Sequence, residues 1–495
     1  MSQENKVSEK EIRIQKIREL KDQQISAYPN RYYPEHYSED IKSQFAQNDL
    51  PFAVNIAGRI MLKRVFGKAL FMTLRDNQGE IQIYAQQADL VDSYDIIKKK
   101  IDAGDILGVK GEVFRTHKGE ITIQVREFTL LSKALNPLPE KFHGLTDVEL
   151  RYRQRYLDMI VNPEVRQNFV TRSKVIQFMR EYLYERNFIE VETPILQPIP
   201  GGANAKPFIT HHNALGMDLF LRIAPELYLK RIITGGIEKI FEVGRVFRNE
   251  GISTRHNPEF TLLELYQAYA DFNDMMNLTE NMISELIKKL TGGTIITYQE
   301  KSYDFTTPWK RIRMDEAVKD ATGIDINSLK TQKELESAAL KIGLPEDAVK
   351  GREYWKLFTF IFEEKVETTL EGPVFITHYP SKTTPLAKND PTNPDFVERF
   401  ELFIAGREHA NAYSELNDPL LQKEKLKAQS EEKTQGDDEA MYYDADFVNA
   451  LEYGMPPTGG LGIGIDRLLM MILDAPSIRD TIIFPHMRSK MENQD

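Results

Sequence analysis

Short runs with a period of two fill residues 54–131 and constrain the fold more than any other feature. Apolar residues alternate with polar ones in five such runs, Val54–Leu62, Leu70–Leu74, Ile81–Ile83, Ile106–Val113 and Ile121–Val125. This period places successive side chains on opposite faces of a strand. Turn signals at 76–79 and 117–119 separate neighbouring runs. The pattern of about five strands predicts a small β-barrel of the OB type.

The remainder of the chain mixes helical and strand patterns without regular βαβ alternation. It follows Asn136-Pro137-Leu138-Pro139, which is typical of a linker. We therefore predict an α+β domain built on an antiparallel sheet with flanking helices. The predicted organisation is a helical N-terminal extension over 1–53, the OB-type barrel over 54–135, a linker over 136–150 and the larger domain over 151–495. A helical insertion is expected near 328–366.

The charge of the chain limits how it could bind nucleic acid. The formal net charge is −11, so binding would need a local basic patch. Residues 55–75 provide five Lys and Arg residues and no acid, including Lys63 and Arg64. Phe71 and Gln82 are expected on the outer face of the barrel, where an aromatic ring can stack a base and an amide can bond its edge. Burial of Phe71 under another domain, and binding of sugars or proteins, remain alternatives.

The absence of cysteine excludes disulfides, thiol nucleophiles and thiolate zinc sites. The N-terminal residues are charged, unlike a signal peptide, and no apolar run approaches the ~20 residues that span a bilayer. We predict a cytoplasmic protein without a membrane segment.

A charged hairpin is the strongest functional candidate. Two strand-like runs, 240–250 and 260–269, flank a polar loop and bring together Arg248, Glu250, His256 and Phe260. Ionised groups are costly to bury unless they are paired, so folding alone does not explain such a set. It predicts a site for a phosphorylated, aromatic ligand. The alternative is a solvated hairpin with surface ion pairs.

A glycine-rich strand over 459–464 leads into a helix that carries Arg467. Alternate glycines let a flat ligand approach the backbone, and the first turn of a helix favours anions. A dinucleotide-binding motif is excluded because no βαβ unit surrounds these glycines.

Glu401 and Glu408 suit a hard cation such as Mg²⁺. Strict strand alternation would put them on opposite faces, so a bulge or turn at Gly406 is expected. The alternative is a pair of solvent-exposed carboxylates.

Three segments of the chain resemble, in the same order, the three motifs of class II aminoacyl-tRNA synthetases. They are the helix over 164–186 with the strand Phe188–Pro194, the hairpin from Arg248 to Phe260, and the segment from Gly460 to Arg467. The N-terminal barrel matches the lysine, aspartate and asparagine subgroup. The segments GGANAKPF at 201–208 and NAYSELN at 411–417 resemble the bacterial lysyl-tRNA synthetases. His409 departs from this pattern, since a small or aliphatic residue is expected there.

The resemblance implies an ATP-dependent ligase that activates L-lysine to lysyl-adenylate and transfers it to the tRNA for lysine. Arg248 and Arg467 would be catalytic. The resemblance further implies Mg²⁺ bound with ATP, as more than one ion, and a homodimer formed through the first motif. The residues it assigns are Arg248, Glu250, His256, Asn257, Phe260, Gly462 and Arg467 for ATP, Glu226, Glu264, Tyr266, Asn411 and Glu415 for lysine, Glu401 and Glu408 for metal, and Phe71, Gln82, Lys63 and Arg64 for the anticodon.

Three rival functions remain open from the sequence. The first is an aspartate- or asparagine-specific enzyme of the same class, although Glu264 and Glu415 would present anions where aspartate needs a cation. The second is a non-catalytic paralogue, and the third uses the barrel as a general single-strand binder.

Overall fold

The computed structural model describes residues 8–139, 145–436 and 440–488. The chain divides into two units, 1–146 and 147–495. The finer boundaries at 53/54, 135/136 and 150/151 stay predictions. Parts of the predicted extension (1–7), linker (140–144) and larger domain (437–439 and 489–495) lie outside the described residues.

The first unit contains a closed five-stranded barrel, which confirms the OB-type prediction. The strand order is β1-β2-β3-β5-β4. Every second residue of β2 and β3 is buried, as the sequence period requires. The elements of this unit are α1 (Glu9–Asp22), α2 (Ser38–Asn48), β1 (Ala53–Phe66), β2 (Ala69–Arg75), β3 (Glu80–Gln86), α3 (Tyr94–Lys99), β4 (Ile106–Arg115) and β5 (Ile121–Ser132).

An eight-stranded sheet forms the framework of the second unit, in the order β14-β15-β16-β17-β18-β11-β10-β6. Its six central strands are antiparallel, as predicted, while the edge strands β6 and β14 run parallel to their neighbours. The strands of this unit are β6 (Ile189–Glu190), β7 (Leu196–Gln197), β8 (Ile209–His212), β9 (Met217–Leu221), β10 (Lys239–Phe247), β11 (Glu259–Ala268), β12 (Ile295–Tyr298), β13 (Lys301–Asp304), β14 (Lys310–Arg313), β15 (Val374–Pro380), β16 (Phe396–Ile404), β17 (Arg407–Ser414) and β18 (Thr458–Gly464).

Helices pack against both faces of this sheet. The helices are α4 (Val148–Arg153), α5 (Arg155–Val161), α6 (Pro163–Tyr184), α7 (Glu226–Thr234), α8 (Phe272–Thr291), α9 (Met314–Thr322), α10 (Gln332–Lys341), α11 (Glu346–Val349), α12 (Tyr354–Lys365), α13 (Pro419–Thr434), α14 (Ala445–Glu452) and α15 (Ile465–Ile472). Helices α6, α8 and α15 cover one face of the sheet, while the other face carries polar residues at its centre and packs against helices such as α7 and α9 towards its edges. Apolar residues of α6, α8 and α15 share one core with Leu263, Leu265, Phe400 and Leu402 of the sheet. Because side chains alternate along a strand, Glu264 and Glu401 lie on the opposite face.

The predicted insertion contains helices α10–α12, which share a separate core with α9 and β15. Among the described residues, no helix is long and apolar enough to cross a membrane.

Candidate active site

A cavity of about 360 Å³ lies on the polar face of the large sheet. Its walls come from the β10–β11 loop, strands β11, β16, β17 and β18, the first turns of α7 and α15, and the loop at 202–204. Every residue that the sequence assigned to ATP, lysine or metal lines this cavity, namely Glu226, Arg248, Glu250, His256, Asn257, Phe260, Glu264, Tyr266, Glu401, Glu408, Asn411, Glu415, Gly462 and Arg467. The fold therefore gathers residues that are up to 241 positions apart in sequence (467 − 226).

One end of the cavity is cationic. Strand β10 ends at Phe247, so the prediction of a strand reaching Glu250 was wrong and Arg248 begins the loop. The loop keeps its register because Arg248 N donates to Pro258 O over 2.8 Å. The Arg248 guanidinium lies 5.1 Å from the Phe260 ring centroid, and its buried Nε has no hydrogen-bond partner among the described residues. Arg255 and Arg467 line the same end.

His256 contributes an uncharged ring to this end of the cavity. Burial, together with the nearby Arg467, lowers the pKa of His256 from its usual value. Its Nδ1 lies 3.0 Å from the Ser253 hydroxyl. Asn257 is buried and donates from Nδ2 to Glu259 O over 2.6 Å, while its Oδ1 has no hydrogen-bond partner among residues 8–139, 145–436 and 440–488. An imidazole and an amide oxygen are therefore available to a ligand beside the arginines.

The two carboxylates proposed for metal lie on the β16–β17 hairpin. Residues Ala405 and Gly406 turn the chain with φ values of 54° and 64°, which confirms the expected turn at Gly406. The pairing register also shifts next to Leu402, so that Glu401 and Glu408 both line the cavity. Burial and the charge of Glu408 raise the pKa of Glu401 to about 7 despite its pairing with Arg399.

This donor set fits Mg²⁺ bound together with a nucleotide. No group of three or more His, Cys, Asp or Glu side chains over 8–139, 145–436 and 440–488 could hold a metal by itself. Mg²⁺ is commonly bound by one or two carboxylates, with phosphate oxygens and water completing the shell. Glu408 accepts from Arg467 over 3.0 Å, and Glu401 accepts from the Tyr379 hydroxyl over 2.9 Å.

The other end of the cavity is acidic and buried. Glu226, Glu264 and Glu415 are 5%, 5% and 1% exposed, and Tyr266 donates to Glu264 over 3.3 Å. Burial and the charge of Glu226 raise the pKa of Glu264 to about 8. Burial also raises the pKa of Glu415 well above its ordinary value. Several carboxylates held so close together suit a ligand that carries positive charge.

The glycines of β18 divide into two kinds, and this refines the prediction that they make room for a ligand. A Cβ at Gly460 would overlap Glu415 Oε1 and come within 2.6 Å of Tyr266 Cε1, so this glycine makes room for protein side chains. A Cβ at Gly462 would meet only ordinary contacts of 3.6 Å or more. Gly462 therefore leaves a flat, open wall in the cavity.

Four residues of the site were missed by the sequence reasoning. Tyr413 donates to both oxygens of Glu226 over 2.7 Å, and Arg399 donates to Asn411 Oδ1 over 3.0 Å. Lys230 pairs with Glu226 over 2.6 Å. The spacing of four residues between Glu226 and Lys230 on a helix was the available signal for that pair.

Asp466 is the fourth missed residue and joins three elements of the site. It accepts from Thr261 N over 2.7 Å and pairs with Arg172 of α6, while lying in the first turn of α15. Helix α6, strand β11 and helix α15 are thereby fixed relative to one another. Adjacent opposite charges at Asp466-Arg467 gave no indication of this contact in the sequence.

His409, the departure from the family pattern, is 4% exposed and lines the cavity. Burial and the charge of Arg467 lower the pKa of His409 to about 3. Its Nδ1 has no partner in the described part of the chain.

On the barrel, Phe71 and Gln82 lie on neighbouring strands and are both half-buried. The Phe71 ring lies 4.8 Å from that of Tyr84, and Gln82 donates to Thr122 over 2.9 Å. Arg64 is exposed, whereas Lys63 donates to Ile97 O, Lys98 O and Ile101 O over 2.5–2.9 Å. Of the two cations that the sequence offered for a phosphate contact, only Arg64 has its charge directed to solvent.

Each of the two units matches the model of a known protein family. Residues 147–488 match the model of class II tRNA synthetases (D, K and N), and residues 54–131 match the OB-fold nucleic acid binding domain. This is the class that the fold and the cavity define.

Relatives similar over nearly the whole chain narrow the class. Proteins named lysine–tRNA ligase from Carboxydothermus hydrogenoformans and Syntrophomonas wolfei are each 53% identical, covering 97% of this chain and 98% and 97% of those proteins. The lysine–tRNA ligase of Bacillus subtilis is 50% identical, with 97% of each chain covered. The chain belongs to the lysine–tRNA ligase family of class II tRNA synthetases.

Proposed function

We propose that the protein is a lysine–tRNA ligase that activates L-lysine with ATP and transfers it to its cognate tRNA. The observation that carries this proposal is one continuous cavity with an arginine-rich end and a carboxylate-rich end. ATP brings phosphates and an aromatic base to the first end, and lysine brings two ammonium groups to the second.

At the cationic end, Arg248 binds the α-phosphate and the lysine carboxylate, since a planar guanidinium donates to two oxygen atoms at once. Phe260 stacks on adenine opposite Arg467, which also meets the γ-phosphate. Glu250, His256 and Asn257 hold the adenine edge and the outer phosphates, and Gly462 leaves space for the nucleotide. Arg248 Nε and Asn257 Oδ1, which are buried and find no hydrogen-bond partner in the described part of the chain, support these assignments.

In the first step, an oxygen of the lysine carboxylate attacks the α-phosphorus and the bond to the β-phosphate oxygen breaks. Lysyl-adenylate forms and pyrophosphate leaves. A carboxylate is already nucleophilic, so the protein supplies position and charge rather than a base. Arg248 and Arg467 stabilise the charge that develops on the phosphates.

Glu401 and Glu408 would hold Mg²⁺ with the phosphates of ATP, as more than one ion. The metal would neutralise phosphate charge as a Lewis acid. The raised pKa of Glu401 supports this role, because a cation beside a reluctantly ionised carboxyl favours its charged form.

At the acidic end, Glu226 binds the α-ammonium and Asn411 assists at the carboxylate. Glu415 and Tyr266 bind the ε-ammonium, with Glu264 beside them. The buried position of all three carboxylates supports a pocket built for a ligand with two positive charges.

In the second step, a terminal ribose hydroxyl of the tRNA attacks the lysyl carbonyl, loses its proton, and AMP leaves. On the barrel, Phe71 stacks the central anticodon base, Gln82 bonds its edge and Arg64 meets its phosphate. Lys63 is the weaker candidate for that phosphate because its three donors are already satisfied.

The protein is further proposed to be a cytoplasmic homodimer. Exposed apolar residues in β6, which contacts α6, and in the segment after it support a dimer, since Ile189, Ile195 and Leu196 are 52%, 45% and 47% exposed. The chain has a mass of 57.2 kDa, and light scattering on the intact protein should give twice that mass.

Amino-acid-dependent exchange of labelled pyrophosphate into ATP tests the proposed function. Exchange should require lysine and be absent with aspartate or asparagine. Exchange with aspartate but not lysine would establish the rival specificity, and no exchange with any amino acid would favour a non-catalytic paralogue.

A further inference from the structure

Lys230 lies directly behind the acidic end of the cavity and is not part of its lining. Its side chain is 0% exposed, and Nζ lies 2.6 Å from Glu226 Oε1 while also pairing with Glu415 Oε2. Glu226 comes from the first turn of α7, whereas Glu415 follows strand β17. One buried ammonium therefore bridges two carboxylates from separate elements.

The oxygens that Lys230 does not occupy have different surroundings. Glu226 is held further by the Tyr413 hydroxyl, which lies 2.7 Å from both of its oxygens. Glu415 Oε1 has no partner within the described ranges and lies against Gly460 and Tyr266, which line the cavity. The bridge thus fixes one oxygen of Glu415 and leaves the other for a ligand.

Charge gives the bridge a second effect. Carboxylates held close together in a buried space repel one another, and this repulsion opposes a fixed arrangement. The positive charge of Lys230 offsets the repulsion between Glu226 and Glu415 without filling the cavity.

We propose that Lys230 is a positioning residue that sets amino-acid specificity, by holding the Glu226 and Glu415 carboxylates at a fixed separation. This inference rests on the proposed function, in which these two carboxylates bind opposite ends of lysine. A diamino acid of the right length reaches both carboxylates, whereas ornithine, shorter by one methylene, does not.

Pyrophosphate exchange with lysine and with ornithine tests the inference in the variant Lys230→Met. Removing one partner of a buried charge pair should raise the KM for lysine by ~100-fold, with a smaller change in kcat. The preference for lysine over ornithine in kcat/KM should narrow by ~10-fold, because one methylene contributes roughly that factor. The KM for ATP should stay within about threefold, since the nucleotide binds at the other end.

Arg231→Met is the matched control on the same helix. Arg231 pairs with Asp444 over 2.7 Å and Asp446 over 3.1 Å, outside the cavity lining. The Arg231→Met variant should have lower thermal stability than the wild type, but the same KM for lysine and the same ratio of kcat/KM for lysine to kcat/KM for ornithine. An equal shift of that ratio in the control would show general loosening of α7 and overturn the inference.

Lys230→Arg keeps the charge but lengthens the side chain, so it decides the question if Lys230→Met does not fold. The displaced carboxylates should change the lysine-to-ornithine ratio by at least ~5-fold. An unchanged lysine-to-ornithine ratio in a folded Lys230→Arg or Lys230→Met protein would overturn the inference about Lys230. The proposed function would still stand in that case, provided that the wild-type protein exchanges pyrophosphate with lysine. Absence of lysine exchange in the wild type would instead refute the proposed function.

Discussion

The substitution Gly460→Ala should test whether Gly460 makes room for neighbouring protein side chains rather than for the ligand. The added Cβ overlaps Glu415 Oε1 and lies 2.6 Å and 2.9 Å from Cε1 and Cδ1 of Tyr266. Glu415 cannot move away freely, since it is 1% exposed and paired with Lys230. Overpacking of this kind costs ~1–3 kcal/mol.

The expected phenotype of Gly460→Ala is a damaged lysine end in a folded protein. A loss of ~2 kcal/mol should lower the melting temperature by roughly 3 °C, because the unfolding entropy of a unit this large is high. Displacing Glu415 from its buried pairing should raise the KM for lysine by ~30-fold or more in pyrophosphate exchange. The KM for ATP should change little.

Gly462→Ala is the matched control, two residues along the same strand. Its Cβ would meet Leu262, Glu264 and Asn411 only at 3.6–3.9 Å, so stability should stay within ~0.5 kcal/mol of wild type. It should instead raise the KM for ATP, because the methyl group projects into the space proposed for the nucleotide. A wild-type KM for lysine in Gly460→Ala, or the same phenotype in both variants, would refute this reasoning.

Three further predictions concern the ends of the cavity and the barrel. Arg248→Ala should slow adenylate formation by ~10²–10³-fold while leaving tRNA binding intact; unchanged exchange kinetics would remove Arg248 from the mechanism. Phe71→Ala should lower kcat/KM for tRNA by roughly 5–150-fold, the equivalent of ~1–3 kcal/mol of stacking, with normal pyrophosphate exchange; unaltered aminoacylation would exclude the anticodon role. The pKa of Glu264 is raised to about 8, so this carboxyl is mostly protonated at neutral pH, and lysine binding should favour its ionised form. The kcat/KM for lysine should therefore rise with pH up to about 8 in the wild-type protein, and Glu264→Gln should flatten that rise. If the pH profile of the Glu264→Gln variant were identical to that of the wild type, the role of Glu264 in lysine binding would be contradicted.

Local patterns were sufficient for most of the architecture. The alternation in β2 and β3 fixed which residues of the barrel face inward, because a strand has only two faces. The helix predicted over 164–186 spans Pro163–Tyr184, and the turn required between Glu401 and Glu408 lies at Ala405–Gly406. Element ends were less accurate, as the early end of β10 at Phe247 shows.

Residues that act only through distant partners were beyond local patterns. Lys230 reads in sequence as one more helix cation, and Asp466 as the neighbour of an arginine. Their roles depend on Glu415 and Arg172, which lie 185 and 294 positions away (415 − 230 and 466 − 172). Similarly, Gly460 and Gly462 look equivalent until the side chains of the adjacent strands are placed beside them.

The sequence by itself determined the two-part fold, many of the cavity residues and the family, because these follow from short-range periodicity and from motifs with characteristic residue types. Only the tertiary structure decided which charges are paired, which are buried and which remain available to a ligand. The free energy of a charge depends on its solvation and on neighbours within a few ångströms, and those neighbours are brought there by folding.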